Sequence, residues 1–176
     1  MNRRYFVDAD GVLFHYDRDA YIGDNPRWLR KNEHYFRDLE PDRKMLEVFD
    51  KLHTATRYTK DELFILSSLS NNGMIFNEHL HDKLVSFNRW FEYIDIDHII
   101  ISVGPKRDVV EFITNNLVTS RDILIDDFNR NLEEWKFAEG TSVKYCNGIN
   151  NPNSFDGHKI HKDMPADEIL QYLLNL

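Results

Sequence analysis

The sequence offers little for cross-linking, for membrane insertion or for wrapping a polyanion. Its 176 residues include one cysteine, Cys146, which excludes an internal disulfide and any metal site built from several cysteines. Cys146 closes the run Thr141-Ser142-Val143-Lys144-Tyr145-Cys146, where a buried strand residue is expected. No apolar run approaches the ~18 residues of a membrane span, and the opening MNRRYFVDAD lacks the apolar stretch of a signal peptide. A cytoplasmic protein with no membrane contact is therefore expected. Positive charge is also scarce: 22 Lys and Arg stand against 30 Asp and Glu, a formal net charge of −8. Binding along a nucleic-acid backbone needs clustered cations, so a long nucleic acid is a poor partner for this chain. A mononucleotide is not excluded, because a few local donors and a metal neutralise one phosphate. The eight histidines are scattered, and His79/His81 and His158/His161 read as surface polar residues despite their ligand-like spacing.

What is present is ordinary for a globular chain, with 41% hydrophobic, 13% aromatic and 30% charged residues. The length suits a single domain that buries roughly two-thirds of its extended surface. Five short β-favouring runs recur: Tyr5 to Val7, Leu63 to Leu66, His98 to Ile101, Ile123 to Ile125, and Ser142 to Tyr145. Near-continuous apolar runs of this kind suit strands buried on both faces of a parallel sheet. Between them lie helical stripes: Met45 to Leu52 after Pro41, Leu80 to Phe91, Val109 to Leu117, Leu132 to Phe137, and Ile169 to Leu173 after Pro165. Alternating strands and helices predict an α/β fold, a three-layer Rossmann-like parallel sheet of right-handed βαβ units. Residues 147–156 read as a turn-rich loop.

One interval interrupts this rhythm. About 30 residues separate the first strand from Pro41, too many for a structureless loop in a compact domain. They carry Phe14, Tyr16, Tyr21, Trp28, Tyr35 and Phe36. The expectation is a small cap, residues 14–40, inserted after the first strand into a core of residues 1–13 and 41–176.

In open α/β sheets ligands bind at the carboxyl ends of the strands. Those ends carry Asp8, Asp10 and Gly11, then Ser67 and Ser68, then Lys106 a few residues after the third strand, then Asp126 and Asp127. Each piece alone reads as a turn or a helix cap. Together, at successive strand ends, they form a set suited to phosphoryl chemistry at a hard cation, since Mg²⁺ takes oxygen ligands and clustered carboxylates repel one another without one.

Asp8-Ala9-Asp10-Gly11-Val12-Leu13 resembles motif I of the haloacid dehalogenase-like (HAD) superfamily. Ser67 is similar to its motif II, Lys106 to motif III and Asp126-Asp127 to motif IV in its adjacent-acid form. Within that superfamily the stretches Tyr35-Phe36-Arg37-Asp38-Leu39-Glu40-Pro41, Phe64 to Ser68 and Leu124 to Asp127 resemble the 5′(3′)-deoxyribonucleotidase family. Ser67 stands where that family has threonine, the proline after motif II is absent, Ser102 to Pro105 differ from the usual residues before the lysine, and the cap is shorter.

The resemblance implies a HAD-like fold and a Mg²⁺-dependent phosphohydrolase. Asp8 is then the nucleophile and Asp10 the acid/base. The metal ligands are Asp8, the Asp10 carbonyl and one acid of the Asp126/Asp127 pair. Ser67, Ser68, Lys106 and Gly11 serve the phosphate. Tyr16 matches a base-stacking position, with Tyr35 and Phe36 as an opposite wall. The implied substrate is a nucleoside monophosphate, and the implied assembly is a homodimer. A phosphatase for a sugar phosphate or other small metabolite, an end-processing phosphatase, and a catalytically silent nucleotide- or protein-binding module are the competing expectations. Retention of both Asp8 and Asp10 speaks against the last.

Overall fold

The structure, a computed structural model, describes residues 2–16, 34–69, 76–150 and 154–176. Six strands form one sheet: β1 (Arg4–Val7), β2 (Glu62–Ser68), β3 (Ile99–Ser102), β4 (Asp122–Asp126), β5 (Thr141–Cys146) and β6 (His158–His161). All neighbouring pairs are parallel, in the order β3-β2-β1-β4-β5-β6. The sequence order reverses direction at β1 and β4, which puts the switch point between them. Among the described residues five α-helices cover the sheet: α1 (Arg43–Thr56), α2 (Phe76–Trp90), α3 (Lys106–Thr114), α4 (Asn129–Phe137) and α5 (Ala166–Leu174). The expected three-layer parallel α/β fold is the one found. No helix among the described residues is long and apolar enough to cross a membrane.

Strand side chains alternate between the two faces, and the core divides accordingly. Tyr5, Val7, Leu63, Ile65, Ile123 and Ile125 pack beneath α1, α2 and α5, against Phe49, Phe87 and Ile169. Phe6, Phe64, Leu66, Ile100 and Leu124 pack on the other face against Val110, Leu132 and Trp135. Phe6 stacks on Phe64 at 5.0 Å and meets Trp135 edge-on at 5.2 Å. The Trp135 indole also donates to the Asp122 carbonyl at 2.9 Å, so the largest buried side chain has its polar atom satisfied.

Several sequence expectations shift. The start of α1 is set by Asp42, whose carboxylate accepts from Lys44 and Met45 N–H groups at 3.1 Å, and Pro41 lies just outside in a bridge with Phe14. Strand β6 was not expected, since its run His-Lys-Ile-His buries only Ile160, as befits an edge. On α2 the buried face is His79, Asp82, Lys83, Ser86 and Phe87 rather than the Leu80-Leu84-Val85 stripe. His79 is thus a packed residue, 4.7 Å from the Phe36 ring, while His81, His158 and His161 are exposed as expected. The α3 stripe holds only for Val109 and Val110: the helix stops at Asn115 in the left-handed region (φ 50°), and Phe112, Ile113 and Leu117 face solvent. The buried positions of α3 are Lys106 and Val110.

Cys146 is buried on β5 as expected. Of the residues assigned to the cap, Tyr21 and Trp28 lie outside the described residues. The two ends of that interval sit side by side, the His15 N–H donating to the Glu40 carbonyl at 2.8 Å.

Trp135→Ala removes the largest side chain of the second core. A loss of about 3–5 kcal/mol in unfolding free energy is expected, measured by urea titration against the unaltered protein.

Candidate active site

The register of β1 against β4 pairs Val7 with Ile125, and the ladder continues one step as the Asp8 N–H donates to the Ile125 carbonyl at 2.9 Å. Asp8 is therefore set level with Asp126 by the backbone alone. Beyond Asp8 the chain curls tightly about one carbonyl. The Ala9 C=O accepts from the N–H groups of Val12 (3.3 Å), Leu13 and Phe14 (both 2.9 Å). Gly11 holds this curl with φ 86°, and a Cβ there would lie 2.5 Å from an Asp127 carboxylate oxygen. No other residue type tolerates both the conformation and the approach.

The carboxylates converge. Ligand atoms of Asp8, Asp126 and Asp127 all lie within 4.8 Å of one another, and all three side chains are buried. Lys106, at the first position of α3, reaches Asp8 at 2.7 Å and Asp126 at 2.6 Å. Asp126 also accepts from the Phe128 N–H (2.8 Å) and the Asn131 amide (2.9 Å), so both its oxygens are engaged. Asp127 accepts from Asn147 and Asn150, both at 2.9 Å and both on the same oxygen. Beneath it Lys144, fully buried, donates to the Asp127 carbonyl at 2.8 Å and to the Asn129 side chain.

Three buried carboxylates, two of them in contact with one ammonium, leave excess negative charge, and the titration behaviour reflects it. Burial pushes Asp8 well above the usual carboxylate range; Lys106 opposes this, and Asp126, Asp10 and Asp127 add to it. Burial likewise raises Asp127 to about 6, with Asp126 reinforcing the shift and Asn147 and Asn150 opposing it. Burial works against the Lys106 charge, but Asp126 and Asp8 outweigh it and its pKa rises. An all-oxygen donor set with uncompensated negative charge fits a hard divalent cation.

The remaining site candidates divide between the two sheet faces. Ser67 shares a face with Leu63 and Ile65, is fully buried, and accepts from Lys83 of α2 at 3.0 Å. Ser68 points the other way and lines a cavity of about 410 Å³ with Asp8, Asp10 and Asp127. The same cavity is walled by Tyr16, Phe36, Leu69, Phe128 and Ile149. Tyr35 stands behind that wall, its ring 6.4 Å from Tyr16 and 5.2 Å from Phe36. Thus the structure gathers Asp8, Asp10, Ser68, Asp127, Tyr16 and Phe36 around one opening, with Gly11 buried against Asp127 and with Ser67, Lys106 and Asp126 packed beneath. The sequence reading missed Lys83, Lys144, Asn131, Asn147 and Asn150. The spacing 79, 82, 83, 86, 87 on α2 carried a signal, since four polar residues and one phenylalanine fall on one helical face.

Neither a protein-family model nor a curated protein sequence matches the chain. Solved structures do. A D,D-heptose bisphosphate phosphatase from B. bronchiseptica, complexed with magnesium and phosphate, is 13% identical over 98% of each chain, with a TM-score of 0.64. A hydrolase from Pseudomonas syringae is 12% identical over 99% of each chain, with a TM-score of 0.65. A HAD family hydrolase from Deinococcus radiodurans, with bound phosphate and sodium, is 15% identical over 99% of this chain and 96% of its own, with a TM-score of 0.61. At these identities the likeness is one of fold, and the fold is that of HAD-superfamily hydrolases.

The charge balance has a measurable consequence. Asp127 titrates above the ordinary carboxylate range in the folded state, so the cation-free fold favours its protonated form. That contribution to stability is complete below the ordinary range and is lost as pH rises through about 6. At pH 7.5, saturating Mg²⁺ is expected to raise Tm by roughly 5–10 °C, and by much less at pH 5. Without Mg²⁺ at pH 7.5, Asp127→Asn should unfold at higher urea than the unaltered protein, by about 1–3 kcal/mol, and should lose the Mg²⁺ response.

Proposed function

We propose that this protein is a Mg²⁺-dependent phosphomonoester hydrolase that works through an aspartyl-phosphate on Asp8, with a nucleoside monophosphate as substrate. The observation that carries this reading is the convergence of Asp8, Asp126 and Asp127 at a cavity lined by Asp8, Asp127, Asp10 and three aromatic side chains, with Asp126 packed beneath. The shared fold with HAD-superfamily hydrolases, among them a sugar bisphosphate phosphatase, supports it.

The chemistry follows from the groups present. An Asp8 carboxylate oxygen attacks phosphorus, the bond from phosphorus to the leaving oxygen breaks, and Asp10 supplies the proton that oxygen takes. Water then attacks the aspartyl-phosphate, giving its proton back to Asp10. The bond from phosphorus to Asp8 breaks, inorganic phosphate departs, and both carboxyl groups return to their starting states. Lys106 holds Asp8 in place and offsets charge where phosphate and carboxylate must meet. Magnesium, when bound, lowers the electrostatic cost of that meeting. Asp8, the Asp10 carbonyl and Asp127 are the groups assigned to hold it. Asp127 is preferred over Asp126 because it faces the cavity and one of its oxygens has no protein donor among the described residues. Ser68 and the Ser67 hydroxyl are assigned to the phosphate oxygens, and Gly11 lets the backbone come close to them.

The nucleotide is favoured over a sugar phosphate by the cavity wall. Tyr16, Phe36, Leu69, Phe128 and Ile149 offer apolar and aromatic surface that suits a planar base. The volume, about 410 Å³, lies in the range of sites for ligands of that size.

Phosphate release from ribo- and deoxyribonucleoside monophosphates and from sugar phosphates, with and without Mg²⁺, tests the reading. Mg²⁺-dependent release from nucleotides is expected, abolished in Asp8→Asn. Release from sugar phosphates alone keeps the mechanism and discards the base. An Asp8→Asn protein that keeps substantial turnover discards the mechanism. Within an active nucleotidase, Tyr16→Ala and Phe36→Ala should each raise KM for nucleotides about 10-fold or more, while leaving KM for a small aryl phosphate within about 3-fold. Equal changes for both substrates remove the base-stacking role.

A further inference from the structure

Lys83 is absent from the sequence reading and from the phosphate and metal sets assigned above, yet it is almost wholly buried at the site. It projects from α2 and touches three groups, each from a different part of the chain. Its ammonium pairs with the Asp10 carboxylate Oδ2, donates to Ser67 Oγ at 3.0 Å, and lies 4.2 Å from the centre of the Phe36 ring. Among the described residues Asp10 is its one formal counter-charge in contact, and Lys83 is the only side-chain partner of Asp10.

We infer that Lys83 is a positioning residue for the acid/base Asp10, and that it ties the orientation of that carboxyl to the cavity wall through Phe36. The ion pair is a poor source of stability, because the ammonium is wholly desolvated and the carboxylate largely so, which consumes most of the Coulombic gain. A lysine placed there for packing alone could be an apolar residue of the same length. Its three contacts instead fix a geometry. Holding Asp10 by Oδ2 prevents the carboxyl from rotating freely and keeps it at the cavity it lines, where the leaving oxygen must be protonated. The Ser67 hydroxyl and the Phe36 face fix the ammonium in turn. Lys106 and Lys83 thus have matching tasks on opposite faces of the sheet, one holding the nucleophile and the other the proton donor.

This inference rests on the phosphatase reading above. The test compares leaving-group release in a single turnover from two esters in the same preparation. One is nitrophenyl phosphate, whose leaving group is stable as an anion and needs no proton. The other is whichever alkyl phosphomonoester the unaltered protein turns over. Lys83→Met is expected to slow release of the alkyl leaving group by about 100-fold or more and of nitrophenolate by less than about 10-fold. The ratio of the two rates does not depend on the fraction of folded protein, and Lys83→Gln carries the same comparison should the methionine variant not fold. Equal slowing of both esters overturns the positioning role. Unaltered protein inert toward both esters overturns the phosphatase reading, and this inference falls with it.

Discussion

Mutual repulsion among aspartates at the ends of β1 and β4 is the constraint around which the site is organised. Backbone pairing of two adjacent parallel strands brings Asp8 level with Asp126, and Asp127 is one residue further on. Among the described residues no side chain of the sheet pairs with these carboxylates directly, although Lys144 of β5 lies near Asp127. Relief comes from the layers above and below it. Lys106 at the start of α3 contacts two of the three carboxylates, and Asn131, Asn147 and Asn150 supply hydrogen bonds that need no charge. Lys144 does not touch a carboxylate but holds the Asp127 carbonyl and the first residue of α4. The lower half of the site is therefore tied by ion pairs and hydrogen bonds, while its opening stays short of positive charge, as a cation site requires.

How much of this could be read from the amino-acid order depends on which interactions set each feature. Strands β1 to β5 were legible because each is a short β-favouring run with consecutive apolar residues or alternating ones, and Asp8, Ser67, Ser68 and Asp126-Asp127 were legible because each ends or follows such a run. β6 was not, since its run His-Lys-Ile-His offers a single apolar residue, Ile160, the one position this edge strand buries. Lys83 and Lys144 were invisible for a different reason. A lysine is ordinarily exposed, and only the tertiary arrangement reveals that these two have counter-groups waiting. The reversal on α2 has the same origin. Its inner face meets the polar end of the sheet and the Phe36 ring, so Leu80, Leu84 and Val85 are displaced to partly covered positions while Lys83 and Asp82 turn inward. On α3 the helix covers the sheet with Lys106 and Val110, and Phe112 and Ile113 are left outside.

Both faces of the sheet contribute side chains to the site. The face under α3 and α4 carries Asp8 and Lys106; the face under α2 carries Ser67 and Lys83. Asp10 joins them, because the curl about the Ala9 carbonyl takes the chain from one side of the strand end toward the other within two residues. Gly11 makes that curl compatible with Asp127, whose carboxylate occupies the space a side chain would need.

The central position of β1 also bears on when the site comes into being during synthesis. β1 is made first, but one of its two hydrogen-bonded neighbours is β4, whose residues follow more than a hundred positions later, with Arg4 paired to Asp122 and Val7 to Ile125. Contacts of such separation form slowly and late, after the loops between them have closed. A nascent chain that has delivered β1, β2 and β3 has Asp8 and Ser67 in hand but neither Asp126 nor Asp127, and its sheet presents β1 as an open edge. The molecule thus passes through an interval in which β1 is unpaired on one side and the aspartate cluster is incomplete, and the addition of β4 ends both conditions at once.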